Sequence, residues 1–346
     1  MAPVTVIVPA FDAAATIGET LASVCAQTHA ALQVLVVDDG SRDDTAAIAR
    51  AVAARDPRVT VLRRPNGGVA RARNAALALA TGDFVAPLDA DDLWHPTKIA
   101  RQLARLDATP AADLVYCWSV DIDAAGMVVE RRLDVPRYEG DVIAPLIRAN
   151  FIDNSSTPLI RRDALHRAGG WDPTLRDRGA QGCEDWLLYL RIAARGAFAL
   201  EPAFLVGYRQ SPAAMSRNVA AMRRSSEVVL AEGRCRHPAL PDRLFRWARA
   251  AFGHYVADML AADGRPVRAA TARAGAIARD PAWLASRTAR RRLRRRLAPA
   301  TAVDAPAALS FGDLAPDPTF FFAPDPWSAH RDARLHAMRV HDRGRR

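Results

Sequence analysis

The chain of 346 residues has few cysteines and almost no lysine. Its four cysteines are scattered, without a C-x-x-C pair or zinc-finger spacing, which argues against a disulfide scaffold and a structural zinc site. No apolar run reaches the roughly 18 residues that span a bilayer, and the sequence enters a strand pattern at once, without a charged leader. We therefore expect a cytoplasmic globular protein without a transmembrane helix or a secretory signal.

The net charge of +10 is concentrated toward the C-terminus. Residues 1–220 contain 24 Lys and Arg against 26 Asp and Glu, whereas residues 221–346 contain 24 against 12. Because the first part is close to neutral, the composition does not indicate an enzyme core that binds a polyanion. It indicates a basic C-terminal appendage.

Short apolar runs alternate with helical patterns over the first 92 residues. Strands are predicted at Val4–Val8, where Pro9 is expected to end the strand, and at Val34–Val37, Val59–Leu62 and Phe84–Leu88. Helices are predicted between them, near residues 17–25, 45–54 and 70–80. This order predicts an α/β fold with a mostly parallel, Rossmann-like sheet and helices on both faces, whose ligands bind at the carboxyl ends of the strands.

The pattern is less regular after residue 97. The predicted elements are a helix at 98–107, a strand at 114–120, a turn at Gly126, a short helix near 141–149, a strand through Ile160, a helix from Glu184 to near Gly196 and a strand at 204–208. Ala- and Arg-rich helices are predicted over 217–298. An irregular Ala/Pro-rich tail, docked through its aromatic residues, is expected after that.

Two acidic clusters follow predicted strands. Asp89-Ala90-Asp91-Asp92 places three carboxylates within four residues, a set of hard oxygen ligands that suits Mg²⁺ or Mn²⁺. The alternative is a solvated acidic turn that caps the next helix. Asp38-Asp39 forms a second cluster, which either accepts hydrogen bonds from a ligand or caps a helix.

These motifs, taken in order, resemble those of family 2 glycosyltransferases. The resemblance spans roughly residues 3–218, and residues 220–346 match nothing that we recognise. The stretches that carry it are Val4–Phe11, Val37-Asp38-Asp39-Gly40-Ser41, Ala72-Arg73-Asn74, Leu88–Asp92, Asn154-Ser155-Ser156, Arg161-Arg162, Gly169-Gly170-Trp171-Asp172, Glu184-Asp185, Tyr208-Arg209 and Met215-Ser216.

The resemblance implies a GT-A fold over residues 1–218. Residues 1–97 would form the nucleotide-sugar half and residues 98–218 the acceptor half. A basic helical extension (219–298) and the tail (299–346) would follow.

The resemblance also implies roles for residues on the donor side. Pro9 and Phe11 follow the first strand, and the Phe11 ring is expected to pack against the nucleotide base, unless it is a core residue. Asp39 is expected to recognise uracil. Asp89 would bind ribose or sugar hydroxyls, and Asp91 would bind the metal on the diphosphate; the alternative remains an acidic turn.

On the acceptor side, the resemblance implies that Asp185 is the general base and that Glu184 orients the acceptor or a loop. The alternative is that both carboxylates only cap their helix, whose dipole would favour the ionised form of Asp185. Arg73 is expected either to line the donor pocket or to form a structural ion pair. Trp171 and Trp186 are expected to stack on a sugar or to pack in the core.

One motif departs from the family pattern. Relatives often carry a histidine before proline after the Tyr-Arg pair, whereas this chain has Gln210-Ser211-Pro212. Arg209 is therefore a candidate for carrying more of the phosphate charge.

The function implied is a metal-dependent, inverting transfer of a sugar from a nucleoside diphosphate, most simply UDP, to a hydroxyl of a glycan, lipid-linked or small-molecule acceptor. Such an enzyme would serve the biosynthesis of polysaccharide for the cell envelope. The competing hypothesis is a catalytically weak binding module of the same fold, whose basic C-terminus binds anionic lipid or nucleic acid. A nucleotidyltransferase is a third possibility, but the segment after the first strand lacks a Gly-rich phosphate loop.

The basic appendage predicts a peripheral membrane contact. Asp280 and Pro281 can start a helix that runs to about Leu297, with Trp283 as an aromatic anchor. Such a helix suits the anionic inner face of a membrane, and its removal with the rest of 280–346 is expected to spare donor hydrolysis. The alternative is a solvated helix packed on the domain; the absence of a base-reading motif argues against nucleic acid. The basic residues of this predicted helix are Arg287, Arg290, Arg291, Arg292, Arg294, Arg295 and Arg296.

Overall fold

The computed structural model describes residues 2–130, 135–211, 215–285, 309–316 and Leu335. Within these residues, nine strands form one sheet. The strands are β1 (Val4–Ala10), β2 (Leu32–Asp38), β3 (Val59–Arg63), β4 (Phe84–Pro87), β5 (Leu93–Trp94), β6 (Ala112–Ile122), β7 (Val128–Glu130), β8 (Leu159–Arg161) and β9 (Ala197–Arg209). The helices are α1 (Ile17–Cys25), α2 (Thr45–Ala53), α3 (Val69–Leu77), α4 (Lys98–Asp107), α5 (Ile143–Arg148), α6 (Arg162–Ala168), α7 (Thr174–Asp177), α8 (Glu184–Ala193), α9 (Val219–Arg236), α10 (Asp242–Ala262) and α11 (Pro266–Arg279).

The first half of the sheet is parallel, as predicted, with the order β3-β2-β1-β4. The prediction that Pro9 ends the first strand is wrong, because β1 continues through Ala10. β4 pairs with β1 only up to Ile7, so beyond that residue β1 pairs with β2 alone. Pro9 of β1 lies opposite Val37 of β2. A proline without an N–H group is tolerated where one side of a strand has no partner. β1 thus delivers Phe11 directly to the sheet edge.

The second half of the sheet mixes directions. β8 is antiparallel to both β4 and β6, β9 is parallel to β6, and β5 is antiparallel to β9 at the edge. β6 and β9 are longer than predicted. Their register places Asp121 opposite Tyr208, which carries the end of β9 towards the acidic cluster after β4.

The predicted helical C-terminal region is present in α9, α10 and α11. Buried residues of α9 and α10, such as Val229 and Leu244, belong to the same hydrophobic core as the sheet residues Tyr116 and Val120. A domain boundary at residue 218 stays a prediction. None of the helices among the described residues combines the length and apolar content needed to cross a bilayer.

Only the beginning of the predicted basic helix falls within the described residues. Asp280 caps the C-terminus of α11, and residues 281–285 form one short 3₁₀ helix. Trp283, the expected membrane anchor, stacks on His254 with ring centroids 3.9 Å apart. The arginines at 287–296, and the tail aromatics at 320–322 that were expected to dock, lie outside the described residues.

Part of the tail returns to the sheet, and we call residues 309–316 the C-terminal clasp. The Leu309 carbonyl accepts from Val128 N, and Phe311 N donates to the Gly126 carbonyl at the hairpin between β6 and β7. Phe311 and Leu314 are buried. A Cβ placed on Gly207 of β9 would lie only 3.0 Å from the Phe311 ring, so the clasp packs directly on that strand.

Candidate active site

The parallel topology gathers the predicted donor-side residues at one edge of the sheet. Phe11 follows β1, Asp39 follows β2 and Asp89 follows β4, and these three strands are neighbours that run in the same direction. Phe11 is 47% exposed, so it is not a core residue, whereas Pro9 is buried within β1. An exposed aromatic ring at this edge is available to a planar ligand.

Asp39 organises the loop that precedes α3. Its carboxylate accepts hydrogen bonds from Gly67 N at 3.0 Å and from Gly68 N at 2.6 Å, and Arg64 Nε lies 3.2 Å from Oδ1. Because Asp39 is nearly fully buried, these partners offset the cost of its burial. Asp38, also buried, accepts from Ser41 N. Asp39 therefore has a loop-holding role in addition to the base contact that the sequence predicts.

Arg73 connects α3 with the first aspartate of the acidic cluster. Its Nη2 donates to Asp89 Oδ1 at 2.5 Å and to Ser155 Oγ at 2.7 Å, and Ser155 Oγ in turn donates to Asp89 Oδ2. The ion pair expected as an alternative role is thus present. Burial alone would lower the pKa of Arg73, but the carboxylates of Asp89 and Asp185 more than offset this and raise it. Arg73 stays charged between two acids.

Ser155 and Ser156, for which the sequence predicts no role, form hydrogen bonds with aspartates of the acidic cluster. Ser156 Oγ accepts from Asp89 N at 3.0 Å and donates to Asp92 Oδ2 at 2.5 Å. Asp92 is fully buried, and its other oxygen accepts from Arg209 N. Asp92 is therefore the structural member of the acidic cluster. The Asn154-Ser155-Ser156 motif is visible in the sequence, but the aspartates that Ser156 contacts precede it by more than 60 residues, so the sequence does not reveal these contacts.

Asp91 differs from the other two aspartates of the cluster in the surroundings of its carboxylate. Among the described residues, no other residue donates a hydrogen bond to its side chain. Burial, with repulsion from Asp89, raises the pKa of Asp91 to about 6. A hard divalent cation would relieve that repulsion, so the residue fits the predicted metal. No three acidic, histidine or cysteine side chains in the described parts of the chain form a complete metal site. The remaining ligands would have to come from the diphosphate and water.

Glu184 and Asp185 occupy the first turn of α8. Glu184 is buried, and its Oε2 accepts from Gly182 N, so it fastens the turn that leads into the helix. Asp185 Oδ1 accepts from Trp186 N at 2.7 Å, and the side chain remains partly exposed. Burial raises the pKa of Asp185 to about 7, and Arg73 opposes that rise. Desolvation is the largest effect on this pKa, and the hydrogen bond from Trp186 N at the helix start acts against it.

Residues 5–166 match the family model described as glycosyl transferase family 2. This part of the chain belongs to that family. Among similar proteins, the succinoglycan biosynthesis protein ExoU of Rhizobium meliloti is 34% identical over 204 residues, which cover 56% of this chain and 58% of ExoU. Chondroitin synthase of Pasteurella multocida is 24% identical over 195 residues, 56% of this chain and 19% of the synthase. The chain therefore spans little more than half of one relative and a fifth of the other.

Two solved glycosyltransferase structures share the GT-A fold with this chain. TarS 1–349 of S. aureus in complex with UDP-GlcNAc aligns with a TM-score of 0.52 and 20% identity, covering 80% of this chain and 89% of TarS 1–349. The mannosyltransferase PcManGT of Pyrobaculum calidifontis, in complex with GDP-Man and Mn²⁺, aligns with a TM-score of 0.50 and 23% identity. The alignment covers 82% of this chain and 87% of PcManGT. At these identities the likeness shows the fold alone.

The structure also bears on the expectations for Arg209, Trp171 and Trp186. Arg209 is buried and donates to Glu19, to the Asp91 carbonyl and to the carbonyls of residues 123 and 124, so its donors serve the protein rather than a phosphate. Trp171 and Trp186 are 1% and 3% exposed, which makes both of them core residues.

Proposed function

We propose that the chain is a metal-dependent, inverting glycosyltransferase that moves a sugar from a UDP-linked donor to a hydroxyl of a glycan acceptor. The observation that carries the proposal is the convergence of Asp185 with the Arg73–Asp89 pair, next to an Asp91 carboxylate that accepts no hydrogen bond from another of the described residues. One partly exposed carboxylate facing a donor-side cluster suits direct displacement at the anomeric carbon.

In this proposal Asp185 removes the proton of the acceptor hydroxyl. A general base works best when its pKa is close to the working pH, and burial brings the pKa of Asp185 to about 7. Glu184 is a positioning residue, since it holds the turn that presents Asp185.

On the donor side, Phe11 would pack on the nucleotide base, and Asp89 would contact ribose or sugar hydroxyls. Asp39 would accept a hydrogen bond from uracil in addition to those that it accepts from the loop before α3. Arg73 fixes the orientation of Asp89 through its Nη2. Asp91 would hold Mg²⁺ or Mn²⁺, which when bound stabilises negative charge on the departing diphosphate.

The relatives support a place in polysaccharide biosynthesis, because the two curated proteins described above are named for succinoglycan and chondroitin. UDP is proposed on the strength of Asp39. We propose a cytoplasmic location, with contact to the inner face of the membrane through the basic segment after residue 280. The competing binding-module hypothesis has no observation in its favour, since Asp91 and Asp185 are both present at the site.

A nucleotide-sugar panel tests the function. UDP- and GDP-linked sugars are incubated with the purified protein, with Mn²⁺ and with EDTA, and released nucleoside diphosphate is measured. We expect metal-dependent hydrolysis of at least one UDP-sugar and an inverted anomeric configuration of the released sugar by NMR. Release that is unaffected by EDTA would contradict metal dependence, and a preference for GDP-linked sugars would contradict the UDP-linked donor. Retention of the anomeric configuration would contradict an inverting reaction.

A further inference from the structure

A cavity of about 200 Å³ lies beside the middle of β6, and its lining does not include the donor-side residues. Cys117, Trp118 and Ser119 of β6 form one wall, and residues of α5 and of the segments on either side of it form the rest. The cavity combines aromatic rings with polar side chains. Sites for small polar ligands have this composition, with a few polar groups that fix orientation.

The aromatic part of the lining is a packed cluster. Tyr138 and Phe151 meet edge to face with centroids 5.0 Å apart, and Phe151 meets Tyr116 in the same way at 5.3 Å. Tyr138 and Phe151 are half-buried, so each keeps part of its ring open, whereas Tyr116 is fully buried behind them. The ring cluster is therefore a rigid apolar face at the cavity.

The polar part of the lining includes a buried acceptor without a partner. Asn150 Nδ2 donates weakly to the Asp153 carbonyl at 3.4 Å, but Asn150 Oδ1 has no hydrogen-bond donor among the described residues. A buried oxygen in this state is costly unless a ligand or water donates to it. Arg148 and Asp153 also line the cavity. An alkyl chain would leave Asn150 Oδ1 without a donor, whereas a ligand that carries hydroxyls can donate a hydrogen bond to it.

The cavity adjoins the candidate active site through Asp153. This residue has a φ of +80°, and its carboxylate accepts from Ser119 Oγ at 2.9 Å. It directly precedes the Asn154-Ser155-Ser156 segment that holds Asp89. Burial chiefly raises the pKa of the Tyr208 hydroxyl, and the charges of Asp92, Asp153 and Asp89 add to that effect, so the two regions share one electrostatic environment.

We propose that this cavity is a subsite for a sugar residue of the acceptor glycan, next to the residue that receives the transferred sugar. The sugar packs its apolar face on Tyr138 and Phe151, and a hydroxyl donates to Asn150 Oδ1. The inference rests on the proposed glycosyl transfer to a glycan, for which it names the part of the chain that binds the acceptor.

The test uses the full chain and three variants. Asn150→Leu removes the acceptor oxygen at similar volume, Tyr138→Leu removes the ring, and Arg50→Leu on the exposed face of α2 is the control. Saturation-transfer NMR with cellotetraose, a chondroitin tetrasaccharide and a hyaluronan tetrasaccharide measures binding in the presence of UDP and Mn²⁺. UDP affinity and the melting temperature of each variant establish that it is folded.

We expect at least one tetrasaccharide to bind the wild type and the control, and to bind Asn150→Leu and Tyr138→Leu about tenfold more weakly, the loss typical of an unpaired buried polar group. UDP affinity should not change. Equal binding by the two cavity variants, or no binding of any probe by a wild type that binds UDP, overturns the subsite. Tetrasaccharide binding that the cavity variants weaken, without hydrolysis of any donor, would instead refute the proposed function and leave the cavity a glycan-binding site with no acceptor role.

Discussion

Arg73 and Asp89 form a 2.5 Å ion pair between α3 and the carboxyl end of β4, and the guanidinium group is almost fully buried. The same guanidinium lowers the pKa of Asp185 against the effect of burial. A single cation therefore couples the donor side of the site to the proposed base. Arg73 also acts against the rise that burial causes in the pKa of Glu184, so it favours the ionised form of both carboxylates at the start of α8.

Replacement of Asp185 by asparagine is expected to remove transfer and leave donor binding. Loss of a general base costs about 10²- to 10⁴-fold in rate. Asparagine has nearly the same side-chain shape as aspartate, and its Oδ1 can still accept the hydrogen bond from Trp186 N. UDP affinity should therefore stay within about twofold of the wild type. Steady-state kinetics and calorimetric UDP titration measure the two effects. Wild-type turnover by the variant would remove Asp185 from the mechanism.

The rate should fall on the acidic side of neutrality. Asp185 acts as a base only when deprotonated, and since its pKa is about 7, kcat for hydrolysis should decline as the pH drops through that value. Arg73 lowers this pKa, so Arg73→Gln should move the acidic limb to higher pH, whereas Arg73→Lys should move it less. A pH–rate profile that keeps its acidic limb in Arg73→Gln would show that another group titrates.

Local patterns were sufficient to predict much of the fold. The predicted helices at 17–25 and 98–107 coincide with α1 and α4, because apolar periodicity there marks one buried face. The position of Asp39 and Asp89 at one edge follows from parallel strands, whose carboxyl ends coincide.

Contacts between distant residues could not be predicted in this way. Arg73 meets Ser155 over a sequence separation of 82, and Arg209 meets Glu19 over 190. No local spacing encodes such pairs. The pKa of Asp185 was also beyond reach, since it depends on burial and on the charges of Arg73 and Asp89, which are distant in the sequence.

Asp91→Ala is expected to weaken UDP binding only where metal contributes. If the diphosphate and Asp91 share one cation, each raises the affinity for the other, and such coupling is typically about 5- to 150-fold. UDP titrations with Mn²⁺ and with EDTA measure it. Asp92→Asn is the comparison, because Asp92 is bonded to Ser156 and Arg209 and should affect folding before metal binding. An unchanged effect of Mn²⁺ in Asp91→Ala would exclude this residue as the ligand.

Lys98, the single lysine of the chain, should make stability depend on alkaline pH. It is fully buried on α4, where its Nζ donates to Gln102 Oε1 at 2.8 Å and lies 4.1 Å from the centroid of the Trp94 ring. Burial lowers the pKa of Lys98 from 10.5 to about 8. Between these two values the unfolded chain binds more protons than the folded chain, so this group favours folding increasingly as the pH rises.

Chemical denaturation of the wild type and of Lys98→Met, from pH 7 to pH 10, isolates that contribution. The free energy of unfolding of the wild type should rise with pH relative to that of the methionine variant, which cannot titrate at this position. The difference between the two proteins is needed, because buried Cys117, whose pKa is raised to about 12 by burial, acts in the opposite direction. A constant difference across the range would mean that Lys98 does not titrate there.

The C-terminal clasp should be needed for a working metal site. Phe311 N holds the Gly126 carbonyl, and the adjacent carbonyls of Asp123 and Ala124 accept from Arg209 Nη1. Arg209 Nε in turn donates to the Asp91 carbonyl at 2.8 Å. Loss of the clasp therefore loosens the turn that presents the Asp91 carboxylate. This reverses the sequence-based expectation that removal of 280–346 spares donor hydrolysis.

Phe311→Ala is the sharpest test of the clasp, because truncation of a buried phenylalanine costs about 3–5 kcal/mol. We expect a lower free energy of unfolding and, where the variant is still folded, weaker Mn²⁺-dependent UDP binding with little change in EDTA. Gly207→Ala should act in the same direction, since its Cβ would lie 3.0 Å from the Phe311 ring. Val129→Ala, at a 62% exposed position of neighbouring β7, is the control and should behave as the wild type. Wild-type stability together with wild-type metal-dependent UDP affinity in Phe311→Ala would show that the clasp does not support the site.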